Sequence, residues 1–424
     1  MFGILIAALL ANANWDVSLR TEGRGGTVPN TTFVDNGNGT ATVSSDKGGT
    51  GQIDASLGIS GDYEDWLYSA TWQPHYLRAT VTENQPDELL NAGRLSATYR
   101  LSSISRLTFG QTFAYGVQDF SPLVAGQLAS LANTSNTGTP SLAGSTATQR
   151  IVQRLVYLNS VSAAAFDTAL THLMKFNLAG SYFISGGADA VGRTSLPLQH
   201  GVTVSSGLGW TATREDTFSA TVLATGTSFN PSQRSETGSV QIGWRKAVND
   251  RTGLDVGLGY GLGAAQGGNQ GVATTPFPVA SAGITHTIPL RNASVSGGLH
   301  ATLSPAIDPV TGGVYELLQG NADLSWSPAT ILRFSVHAGY GHAFSGTQQQ
   351  GQDVLSGDLS GQLALNTFTS FSAGVRGARD YFPAGTVVPG TRDSNGQNLV
   401  TLASVQRLEW AAFAAFAFAF RGPL

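Results

Sequence analysis

The sequence has no cysteine. That removes disulfide frameworks and thiolate metal sites, and it suits an oxidising compartment, where a stray thiol is a hazard. Charge is scarce as well. Asp, Glu, Lys and Arg make up 12% of 424 residues, about half the share of an ordinary soluble domain. So few charges give too little polar covering for a water-facing globule of this size. There is no basic excess either: the net charge is −4, which argues against a nucleic-acid partner. Lysine is almost missing, with only Lys47, Lys175 and Lys246. No apolar run reaches the roughly 20 residues that a membrane-crossing helix requires; the longest, Ala411 to Phe420, has ten.

Glycine and aromatics are abundant. The 53 glycines are spread without a Gly-X-Y period, which excludes collagen. Seven Trp, 11 Tyr and 20 Phe offer too much apolar surface for a disordered chain. At the amino terminus, Phe2 to Leu10 form a short apolar run followed by Ala11-Asn12-Ala13, an A-x-A cleavage signal. This predicts a secretory signal peptide over 1–13 and one mature domain over 14–424. The alternative for the same residues is a buried first strand.

Through the rest of the chain apolar residues recur every second position. Leu332, Phe334, Val336, Ala338 and Tyr340 alternate with Arg333, Ser335, His337 and Gly339. Leu254, Val256, Leu258, Tyr260 and Leu262 alternate with Asp255 and glycines, and Leu107, Phe109, Phe113 and Tyr115 with Arg106, Thr108 and Thr112. Such alternation marks strands with one apolar and one polar face. Two architectures share it. A soluble sandwich turns the apolar face inward, whereas a membrane barrel turns it to lipid and lines its lumen with the polar face. Three features select the barrel. The ladders run about 9–13 residues, the length of a tilted membrane strand. Aromatics such as Trp15, Trp210, Trp244, Trp326 and Tyr340 sit at ladder ends, as interfacial girdles would place them. The polar faces are mostly Ser, Thr, Gly, Gln and Asn, too uncharged for a solvated exterior.

Tight turns at 102–105, 214–217, 249–252, 290–293, 327–330 and 366–369 alternate with longer loops near 24–50, 85–92, 117–148, 185–198, 228–236, 265–277, 304–313, 344–353 and 381–403. Short turns on one side and long loops on the other is the outer-membrane arrangement. The expected fold class is therefore all-β, a transmembrane antiparallel up-and-down barrel of about 18 strands, with 16 to 20 open. The stretch from Trp66 to Val81, interrupted by Pro74, reads as one long strand with a bulge, with two short strands as the alternative. Outer-membrane lipid is the implied surrounding.

The lumen-lining candidates are Asp54, Arg94, Arg100, Arg106, Arg245, Asp255, His300, Asp323, Arg333, His337 and Arg376, with Arg407 and Glu409 on the same parity. Arginine exceeds acid only modestly, and the rest is neutral. Such a lining suits sugars, polymers or non-selective passage, though any wet lumen has to be polar. The loop from Phe120 to Gln149 contains no charged residue, so it lacks the acids of a porin constriction and reads as an external loop or a lid. No catalytic, cofactor or metal site is expected. None of the seven His has Ser two positions later, and no His/Asp/Glu cluster has metal-ligand spacing. The Gly-x-Gly runs lie inside ladders with no helix after them, which makes them strand glycines.

The segment LEWAAFAAFAFAF, with Leu408, Trp410, Phe416, Phe418 and Phe420 on one face, resembles the closing strand of bacterial outer-membrane barrels, although Arg421 to Leu424 follow its last aromatic. In size, strand number, Gly/Ala richness and low Lys the chain is similar to the 18-stranded barrels of myxobacterial polysaccharide-export pathways. That resemblance implies a Gram-negative outer-membrane channel, not an enzyme, that exports a polysaccharide or passes uncharged sugar-like solutes. It also implies a periplasmic export protein as partner. A general, porin-like diffusion channel and a non-conducting anchoring barrel are the alternatives.

Overall fold

In a computed structural model, described over residues 13–35, 40–79, 88–118, 155–230, 233–267, 273–290, 293–308, 312–344, 352–382, 401–402 and 405–423, the ladders pair into one closed sheet. Its strands are β1 (Ala13–Asp35), β2 (Thr40–Tyr63), β3 (Trp66–Ala79), β4 (Glu88–Arg100), β5 (Ser105–Gln118), β6 (Leu155–Ala169), β7 (Met174–Gly187), β8 (Gln199–Thr211) and β9 (Asp216–Asn230). They continue as β10 (Gln233–Asn249), β11 (Thr252–Gly267), β12 (Ala273–Leu290), β13 (Ala293–Ile307), β14 (Val314–Ala329), β15 (Leu332–Ala343), β16 (Gln352–Ala364), β17 (Thr369–Phe382) and β18 (Val405–Pro423). Each strand pairs antiparallel with the next, and β18 pairs with β1 from Asn14↔Pro423 to Gly26↔Ala411, which closes the barrel. A two-residue piece, Thr401–Leu402, adds a short parallel pairing to β2.

Period two explains which side faces where. Leu258, Ile242 and Leu408 are 67%, 66% and 65% exposed, and each sits on the apolar parity of its strand. The opposite parity turns into the barrel. Aromatic pairs gather at the tight-turn end: Trp66 with Tyr99 (ring centroids 4.7 Å apart), Trp210 with Phe218 (5.8 Å) and Trp326 with Phe334 (5.4 Å). Amphipathic rings favour the membrane–water boundary, so these pairs form an interfacial girdle. No helix among the described residues is long and apolar enough to cross a membrane; the crossing is made by strands. An even number of antiparallel strands, closed and apolar outside, is an outer-membrane barrel.

Several connections differ from the sequence expectation. The 24–50 loop is strand for most of its length: β1 and β2 continue past the barrel wall, with a register irregularity between Thr27 and Thr31. The β9–β10 loop shrinks, since paired strands run to Asn230 and from Gln233. The 185–198 loop holds one short helix, α1 (Ala190–Ser195), capped by Asp189, whose carboxylate accepts from Gly192 N at 2.6 Å. A further tight turn at Glu64–Asp65 joins β2 to β3, with Glu64 in the left-handed region (φ 53°). Pro74 lies within β3, as the single-strand reading expects, and the β2 pairing is interrupted beside it between Asp54↔His75 and Leu57↔Trp72. The segment over 1–12 and the 117–148 lid candidate, apart from the end of β5, lie outside the described residues.

Burial inside the barrel is uneven. Inward residues toward the long-loop end are closed off, among them Glu22, Leu77, Tyr157, Ser185, Phe229, Tyr315 and Leu317, each below 9% exposed. Inward residues nearer the tight turns stay wet: the side chains of Arg106 and Asp323 are 64% and 61% exposed.

Candidate functional site

The site is the inner wall, and strand register decides which of its charges meet. Asp323, His337, Asp358 and Arg376 stand directly opposite one another across β14, β15, β16 and β17, a row that alternates acid and base. His337 Nδ1 lies 2.5 Å from Asp323 Oδ1. One level away, His300 Nδ1 lies 3.9 Å from Asp255 Oδ2. Gly283 stands between them, and a Cβ there would come within 2.4 Å of both side chains. The missing side chain is what lets the pair reach across β12. Arg245 stands opposite Asp255 in register, and Arg333 Nε donates to Ser325 Oγ at 3.0 Å. Arg106 Nε donates to Asp167 Oδ2 at 3.2 Å. Asp54 accepts from Gln52 Nε2 (2.6 Å) and contacts His75. Arg94 occupies the inner parity of β4, and Arg100 ends that strand at the tight-turn mouth. The side chains of Arg407 and Glu409 lie outside the described residues.

Of the strongest cluster, only Arg376 was among the sequence candidates. Glu22 on β1 has no exposed side-chain surface and is held by three arginines. Arg20 Nη2 donates to it at 2.5 Å, Arg376 Nη1 at 3.2 Å, and Arg24 Nε also donates. Arg376 also lies over the inward Phe413 ring, 4.1 Å from its centroid. A carboxylate removed from water survives only when its lone pairs are met by charged donors. Here Arg376 supplies one from across β18. The signal for this cluster was present: Asp16, Ser18, Arg20, Glu22 and Arg24 continue the polar parity of the Val17-Leu19 ladder. Of these only Arg24 falls within the span read as the 24–50 loop. His75, Asp167, Lys175 and Asp358 were missed as well; His75 sits beside the proline that breaks the pattern.

A different chemistry lines β8 and β9, and also β12 beside β13. Among the described residues, the inner faces of β8, β9 and β12 carry no charged side chain. Thr221, Thr225 and Ser281 present hydroxyls there, with buried Thr203 in contact with Thr225 at 3.2 Å and Gln241 of β10 donating to Ser281 at 2.8 Å. Hydroxyls both donate and accept, so such a wall can exchange partners with water or with a sugar.

Toward the long-loop end the two described ends of the β13–β14 connection, Asp308 and Gly312, are tied to each other and to β10. Asp308 is fully buried, its N–H donates to Gly313 O (2.8 Å), and its carbonyl accepts from Gly312 N (2.8 Å). Gly312 is left-handed (φ 69°), and its carbonyl accepts from the buried Ser235 hydroxyl of β10. The left-handed backbone at Gly312 favours glycine, and a Cβ there would also displace the Gln233 amide, 2.6 Å away. Through Gly312 this end of the β13–β14 arch meets β10 past the two intervening strands, β11 and β12. Among the described residues no group of three or more His, Cys, Asp or Glu could hold a metal ion.

A model of the EpsX exopolysaccharide export family matches residues 53–392, more than half of the chain. No curated protein matches the chain in sequence. Solved structures similar to it include OccAB4 of Acinetobacter baumannii (9% identity, 98% of this chain and 100% of that one, TM-score 0.45). OpdL of Pseudomonas aeruginosa is similar at 8% identity (97% and 99% covered, TM-score 0.44), and the FrpB iron transporter of Neisseria meningitidis at 8% (99% and 83%, TM-score 0.46).

Proposed function

The chain belongs to the EpsX exopolysaccharide export family, and we propose that its lumen is the outer-membrane conduit through which an exopolysaccharide leaves the cell. The observation that carries this reading is the division of the inner wall. Across β14 to β17 the Asp323–His337–Asp358–Arg376 row alternates acid and base. On β8, β9 and β12 the wall is neutral and hydroxyl-rich, a surface against which sugar hydroxyls slide without leaving a charge unpaired. Transport, not catalysis, is the role. The tight-turn mouth is the side that receives the polymer, and a periplasmic export protein is the partner that delivers it.

Conductance tests this. The purified barrel in a planar bilayer should conduct, with little preference between cations and anions in a salt gradient, and long neutral oligosaccharides should interrupt the current. Cells without the protein should lose surface polysaccharide while still making it. A barrel that is silent in bilayers yet brings down envelope proteins would be an anchor, and the conduit reading would fall.

A further inference from the structure

Among the described residues, two cations stand close together without counterions on the inner wall of β4 and β7. At the tight-turn mouth a cavity of about 540 Å³ opens between β4 and β9, a volume within the range of small-molecule sites. Register builds it: Arg100, Arg106, Asp167, Asn177, Gly207 and Thr221 stand opposite one another in a single row across six strands. Arg100 and Arg106 are thus a direct cross-strand pair of like charge, which costs stability unless an anion joins them. Asp167 neutralises Arg106 alone. Among the described residues no carboxylate pairs with Arg100, or with Lys175, which sits two positions before Asn177 on the same face. Space is provided as well. Gly209 opposite Lys175 has open room where a side chain would stand, and the Asn177 amide leans over Gly207.

Two cations without counterions, a neutral amide and hydroxyls around one cavity make a site for an anion that carries hydroxyl groups. We propose that this cavity binds the carboxylate of an acidic sugar residue, the first point at which the polymer engages the barrel. Arg100 and Lys175 take the carboxylate, and Asn177 and Thr221 take the ring hydroxyls. The sugar class rests on the export reading; the anion site rests on the cavity itself.

Calorimetric titration of the detergent-solubilised barrel separates the two, because it needs no conduction. Tetragalacturonate should bind, more weakly as salt rises, and maltotetraose should bind much less. The Arg100→Gln/Lys175→Gln double variant should lose at least tenfold in affinity for the uronate, and Arg100→Lys should retain most of it. Arg333→Gln, at the same mouth on the other wall, should leave binding unchanged. Heat-shifted mobility on gels confirms that each variant is folded. Equal uronate affinity in the wild type and the double variant would overturn the site, as would an equal loss in Arg333→Gln. Inorganic phosphate binding as tightly as the uronate would overturn the sugar assignment. Silence in bilayers with uronate binding intact would count against the conduit alone.

Discussion

Arginine placed at Leu258 should unfold this barrel far more readily than arginine placed at Ser335. Leu258 is the most exposed of the large apolar side chains described, at 67%, so in the membrane about two-thirds of its surface meets lipid. Full burial of a leucine in an apolar phase is worth about 1.5–3 kcal/mol, which makes the lost contact roughly 1–2 kcal/mol. Arginine facing lipid near the bilayer midplane adds about 2–4 kcal/mol. The sum, roughly 3–6 kcal/mol, lowers the folding equilibrium at least a hundredfold at about 1.4 kcal/mol per decade. Ser335 faces inward, with its Oγ 2.8 Å from Ser360 Oγ. Its replacement forfeits one neutral hydrogen bond, about 1 kcal/mol, while the guanidinium stays wet. Urea titrations in lipid vesicles, followed by tryptophan fluorescence and gel mobility, would measure both. Equal midpoints for Leu258→Arg and Ser335→Arg would mean that the inward and outward faces are misassigned.

Three further outcomes are expected. Glu22→Gln should cost about 3–5 kcal/mol by leaving Arg20, Arg24 and Arg376 crowded around a neutral amide; an unchanged urea midpoint would show that the cluster is solvated after all. Ser235→Ala should release the β13–β14 arch at a cost of about 1 kcal/mol, raising single-channel conductance and speeding amide exchange at Asp308 and Gly312, with no change in barrel assembly. Amino-terminal sequencing of outer-membrane material should begin at Asn14, and an intact Met1 would overturn the signal-peptide reading.

Barrel, strand number and the inward or outward parity of the ladders were all legible in the sequence, because period two survives without knowledge of any partner strand. Pairings were legible only in principle. Asp54 precedes Tyr63 by nine residues and His75 follows Trp66 by nine, so the contact follows once the Glu64–Asp65 turn is recognised. That turn carries neither glycine, proline nor asparagine, and Glu64 takes its left-handed conformation without the usual residue to announce it. The Glu22–Arg376 contact was beyond reach, since its partners are 354 positions apart and meet only after the sheet has closed. The hydroxyl-lined strands were visible as composition, but which strands stand beside or across from the charged row is set only by the closed sheet.

Closure itself has a kinetic consequence. Among the described residues, all but one of the antiparallel strand pairings join chain neighbours, and several of those neighbours are linked by tight turns. The seam is the exception: Trp15 Nε1 donates to Pro423 O across 408 residues. By loop-closure scaling, bringing such distant ends together costs about 5 kcal/mol of chain entropy beyond a constant, recovered only as the thirteen residue pairs from Asn14↔Pro423 to Gly26↔Ala411 form. Until then β1 and β18 are bare edges, each able to template a foreign strand. The Glu22–Arg376 pair forms across that seam and in no partly built sheet. It therefore acts late, as a latch that slows opening without hastening the search, and weakening it should raise the unfolding rate while leaving the folding rate alone.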